Sequence, residues 1–62
     1  MKEEIKTDVE WCESYDLPLK MADDMVNHYL KYLNYCDIEM EQYYIGRLQH
    51  WKQVRTVIIN KK

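Results

Sequence analysis

The stretch KMADDMVNHYLKYLNYCDIEMEQYYIGRLQHWKQVRTVII, Lys20 to Ile59, decides how this chain folds. It holds no proline and a single glycine, Gly46. Placed on a helix at about 100° per residue, it keeps one apolar face in constant phase: Ala22, Val26, Tyr29, Leu33, Cys36, Met40, Tyr44, Leu48, Trp51, Val54 and Ile58. The mean step along that face is about 3.6 residues, the α-helical period. The pattern therefore predicts one long amphipathic helix over residues 18–58. Its rival is a hairpin turning at Asn34-Tyr35-Cys36-Asp37, giving a three-helix arrangement. Asn and Asp favour turns, and Asp37 would cap the helix that follows. A turn ordinarily resets helical phase, whereas Leu33, Cys36 and Met40 pass through unshifted, so the pattern favours continuity.

Toward the N-terminus, Thr7-Asp8-Val9-Glu10 has the spacing of a capping box, with Thr7 at the N-cap and Glu10 at N3. It predicts a short helix over residues 7–16, with Ile5 before it and Val9 and Cys12 on one face. Pro18 disfavours helix at Leu17 and suits the first turn of the next helix. The fold class expected is all-α: one domain, residues 1–62, with a short N-terminal helix packed on the first half of a long one. The opposite face of the long stretch is polar except for Ile38 and Ile45, seven residues apart, with Tyr35 nearby. These three form a secondary apolar patch, either scattered exposed residues or a second contact surface. Gly46 in a helix interior weakens it and marks a bend or a close approach by a partner's backbone.

A chain of 62 residues buries only about 60% of its unfolded surface, so a long helix with one short companion is expected to complete its core by association. Hydrophobic residues are 47% of the chain and include six Tyr and two Trp, more than such a monomer would hide. Charge is segregated. Through Glu41 there are eleven acids and four bases; beyond it there are five bases, Arg47, Lys52, Arg55, Lys61 and Lys62, and no acid. Helix-dipole complementarity explains part of this, and the remainder favours antiparallel self-pairing or one acidic and one basic docking end. The start, Met1-Lys2-Glu3-Glu4, is charged and no long apolar run follows, so neither a signal peptide nor a membrane span is expected and the chain is expected in the cytoplasm.

Signals for chemistry are sparse. The order Cys12, His28, Cys36, His50 lacks the close ligand pairs of structural zinc sites, so no metal and no cofactor are expected. Neither cysteine sits in a CxxC pair, and both are expected as free thiols. Asp24 and His28, at i, i+4, match the spacing of a carboxylate orienting an imidazole, with no activated nucleophile nearby in sequence. A surface ion pair is the plainer reading, and no enzyme is expected.

The residues that stand out are those enriched in interfaces: Tyr29, Met40, Tyr43, Tyr44, Arg47, Leu48, Trp51, Val54 and Arg55 along the stripe and its edges. They predict a non-enzymatic interaction module that binds a larger protein or pairs as a homodimer. Tyr29, Tyr44 and Trp51 would be the anchors and Arg47 the polar contact. In size and style the chain suits the small inhibitors and adaptors that phages and other mobile elements encode. The alternative is a small dimeric regulator whose basic C-terminal half touches nucleic acid, since Tyr43, Tyr44, Arg47, Trp51, Lys52 and Arg55 interleave aromatics with bases.

Overall fold

The computed structural model describes residues 3–61, which form three helices: α1 (Glu3–Glu13), α2 (Pro18–Tyr35) and α3 (Ile38–Asn60). The all-α expectation holds, and of the two arrangements read from the sequence the chain adopts the hairpin. The long helix is divided at Cys36 and Asp37, both extended, with ψ of 159° and 158°. Asp37 stands at the N-cap position of α3 but makes no capping hydrogen bond through its side chain. Instead its carbonyl accepts from the Met40 N–H at 3.0 Å. Two extended residues reverse the chain without disturbing the sequence phase, so the unbroken stripe is in fact two stripes that face each other. A stripe in phase through a turn cannot distinguish one helix from two.

Helix α1 also differs from its expected limits. It begins by Glu3, and Thr7 is an interior residue whose hydroxyl donates to the Glu3 carbonyl at 3.0 Å, so the capping box does not form. Glu3 and Glu4 lie in the first turn, where carboxylates complement the positive end of the helix dipole. The helix closes before residue 16, with the Ser14 hydroxyl donating to the Trp11 carbonyl at 2.6 Å and the Tyr15 N–H to the Cys12 carbonyl at 3.1 Å. Asp16 and Leu17 then lead to Pro18 in the first turn of α2, as the sequence requires.

The three helices run up, down and up. The Asp8–His50 and Glu13–Lys61 pairs set α1 parallel to α3, and the Asp23–Arg55 pair sets α2 antiparallel to it. The core lies where all three meet: Ile5, Val9 and Cys12 from α1, Ala22 and Val26 from α2, and Leu48, Trp51, Val54 and Ile58 from α3. These are i, i+3 and i, i+4 sets, the spacing that puts side chains on one helical face. Leu19, Met21, Met25, Tyr29, Leu33 and Val57 pack around them. Trp51 is the largest contributor and meets Trp11 edge to face at 6.0 Å between centroids.

Internal pairing accounts for much of the charge segregation. Arg55 donates to Asp23 at 2.8 Å and Lys61 to Glu13 at 3.2 Å, so bases of the C-terminal half neutralise acids of the other helices. Both pairs are exposed enough that each contributes no more than about 1 kcal/mol. They fix helix register more than they add stability, and they engage part of the charge that the sequence segregates.

An aromatic seat above helix α1

The stripe proposed as an interaction face divides into two parts with different fates. Its lower part, Leu48, Trp51 and Val54, is buried inside the chain, Trp51 to 4% and Val54 to 0% exposure. The expectation that the short helix packs on the first half of the long stretch is corrected here, because α1 packs against α3 as well as α2 and helps to bury Leu48, Trp51, Val54 and Ile58. Arg55, also expected on that face, is committed to Asp23. The upper part stays open. Tyr43 is 56% exposed, Met40 is exposed, and Tyr29, Tyr44 and Arg47 are half-buried between α2 and α3.

The upper part is built by the difference in helix length. Helix α3 has 23 residues and α1 has 11. With Asp8 beside His50 and Glu13 beside Lys61, the start of α1 reaches only the level of Arg47, and an open groove of about 380 Å³ at that level is lined by Glu3, Glu4, Thr7, Asp8, Arg47 and His50. Beyond it, the side of α3 that faces α1 continues as Tyr43, seven residues before His50, and the adjoining side of α2 continues as Tyr32, seven after Met25. Aromatic rings fill this end of the hairpin. Tyr32 lies 5.6 Å from Tyr44 and 4.2 Å from His28, Tyr29 lies 6.2 Å from Tyr44, and Tyr43 lies 5.4 Å from Tyr44. These are tilted and edge-on contacts, the arrangements that ring quadrupoles favour.

Arg47 closes the lower edge of the seat. Its guanidinium lies 5.8 Å from the centroid of the Tyr29 ring, within cation–π range. Hydrogen bonding to Tyr29 is the main cause that holds its pKa above the ordinary value, against partial burial, with Tyr43 and Asp8 adding to it. Arg47 thus sets a positive group on the edge of an aromatic surface.

The secondary patch divides in the same way. Tyr35 and Ile38, at 82% and 87% exposure, flank the turn at the tip of the hairpin, whereas Ile45 is half-buried lower on α3. The three do not form one patch.

The Asp24–His28 pair does not form; Asp24 accepts from Lys20 at 3.0 Å, and His28 stacks on Tyr32 instead. The carboxylate–imidazole pair the chain does contain, Asp8 with His50, joins α1 to α3 across 42 positions and has no signature in local sequence. The groove beside it holds the Thr7 hydroxyl, which is already donating to the Glu3 carbonyl, and no serine or cysteine lines it. Among the described residues no three His, Cys, Asp or Glu side chains converge to hold a metal, and no helix is long and apolar enough to cross a membrane. Both cysteines are free: Cys12 lies in the core, where burial, then the charges of Asp8 and Glu13, push its thiol pKa up, and Cys36 lies in the turn.

Comparison with known proteins found no matching family model, no matching curated protein and no matching solved structure. The functional reading therefore rests on the geometry of the seat.

Proposed function

We propose that this chain is a non-enzymatic protein-interaction module, a small inhibitor or adaptor of the cytoplasm, that engages a larger protein through the aromatic seat above α1. The observation that carries the reading is the length mismatch: the hairpin extends past α1 and presents Met40, Tyr43, Tyr44 and Arg47 at the place where a third helix would otherwise lie. Tyr, Met and Arg are the side chains enriched at interface centres, and aromatic anchors in partly formed pockets carry most of the binding energy of such contacts. Trp51, first expected among the anchors, serves instead as the core residue on which α1 rests.

The nucleic-acid alternative is weakened by the ion pairs. Arg55 and Lys61 are engaged with carboxylates, so two of the bases on this half of the chain are partly neutralised before any phosphate is met. Affinity capture from host lysate tests the proposal. Tyr43→Asp in the seat should abolish capture while leaving helical content unchanged, and Gln53→Ala on the exposed side of α3 should leave capture intact. Capture that is indifferent to Tyr43→Asp refutes it.

A further inference from the structure

The seat has a definite length, a definite surface and a definite rim charge, and together these identify the kind of partner it takes. Glu4 and Ile5 line a groove with Gly46 and Arg47, so about eight residues of α3, Ile38 to Ile45, have no part of α1 beside them. At 1.5 Å per residue that is about 12 Å, two to three helical turns. The surface continues the line along which α1 packs, so an occupant lying end to end with α1 would meet α2 and α3 with the same ridge and groove geometry that α1 uses.

The rim is acidic. Glu3 and Glu4 stand at the lower end of the seat, Glu39 lies one turn from Tyr43 on the same side of α3, and Asp37 is at the top. Among the described residues none of these carboxylates forms an ion pair. Gly46, on the α3 edge of the seat, has nothing within 4 Å of where a Cβ would stand, so a neighbouring backbone can approach there. A second copy of the chain fits this rim poorly. It would bring the same carboxylates together, and its Arg55 and Lys61 are already engaged.

We propose that the seat takes a short amphipathic helix of a partner protein, with two to three turns seated, an apolar stripe against Met40, Tyr43 and Tyr44 and lysine or arginine flanking that stripe. Its end turn meets Glu3 and Glu4, and cations in that position also suit a helix C-terminus set against the start of α1. The inference rests on the interaction reading and names its partner.

The test uses the full chain and two hydrocarbon-stapled helical peptides with the same leucine stripe, one flanked by lysine and the other by glutamate. Isothermal titration at low salt should show the lysine peptide binding at least about tenfold tighter. Tyr43→Ala should remove its binding. The triple substitution Glu3→Gln, Glu4→Gln, Glu39→Gln should reduce the preference to about twofold, and so should salt at about 0.5 M, because the rim charges are exposed. Equal binding of both peptides overturns the charge assignment. Binding of neither overturns the helical occupant, and the interaction reading then stands or falls separately on whether Tyr43 controls capture from lysate. A dimer in sedimentation equilibrium that Tyr43→Ala dissociates assigns the seat to a second copy and overturns the proposal.

Discussion

Replacing Gly46 with alanine should make this protein more stable, and the structure sets the size of the effect. Gly46 lies inside α3, and no glycine among the described residues has a positive φ, so its backbone is one that any L-residue adopts. A Cβ built there meets nothing within 4 Å, so the new methyl group causes no clash and fills no gap. What remains is the difference in helix propensity, about 0.5–1 kcal/mol in favour of alanine, arising mainly from the freedom glycine loses on folding. For a domain of this size, about 1 kcal/mol corresponds to a rise in Tm of about 4–8 °C. Thermal melts followed by circular dichroism, with urea titrations to confirm an unchanged slope, measure it directly. An unchanged or lowered Tm would refute the reasoning, because it would mean that Gly46 is held in a conformation or a contact that the monomer does not contain.

Trp51→Ala should cost about 3–5 kcal/mol, a large part of the total for a domain whose stability is about 3–9 kcal/mol, read as a large fall in the urea midpoint or loss of the transition. Trp51→Phe should cost less than half as much in a urea titration: it keeps most of the apolar contact and deletes an indole N–H that is buried without a hydrogen-bond partner. Cys12 supplies a pH signature. Its folded pKa is raised above the unfolded value, so its stabilising effect is complete below about pH 8.5 and declines as pH rises toward the folded pKa. Between pH 8 and 10 the wild-type protein should accordingly lose stability relative to Cys12→Ala, read as converging or crossing urea midpoints. Tyr35→Gln and Ile38→Gln should each change stability by less than about 0.5 kcal/mol in the same assay, because both side chains project from the hairpin tip with almost no internal contact.

Much of the fold was legible in the sequence because helical periodicity is a local property. Val26 and Leu48, Trp51, Val54 and Ile58 lie on the face that their spacing assigns them, and Val9 and Cys12 share the face expected of the short helix. The turn was harder to place, because Cys36 and Asp37 contribute no glycine, no proline and no capping side-chain bond, and the phase on either side of them agrees. Thr7 shows the converse. Its sequence context matches a capping box, yet carboxylates at Glu3 and Glu4 let the helix start earlier, and the hydroxyl bonds backward to Glu3. At the seat, Tyr29, Met40, Tyr43, Tyr44 and Arg47 were identified from residue type and spacing. The division between them and Leu48, Trp51 and Val54 was not, because it depends on where α1 lies, a choice made by pairs such as Asp8–His50 that are distant in sequence. Tyr32, at the edge of the stripe in the sequence, is the ring that joins Tyr44 to His28 in the fold.

The parallel placement of α1 also has a consequence for the order in which the molecule assembles. Helices α2 and α3 are joined by a two-residue turn and share the largest interface, so their association closes a short loop and can proceed early. Helix α1 joins α2 through the short turn from Ser14 to Leu17, but its pairings with α3, Asp8–His50 and Glu13–Lys61, form over longer sequence separations. It also has the smaller interfaces, so of the three helices it is the one that gives up the least contact on detaching. Each departure uncovers Trp51 and Val54 in line with Tyr43, and for that interval the open groove runs along nearly the whole hairpin.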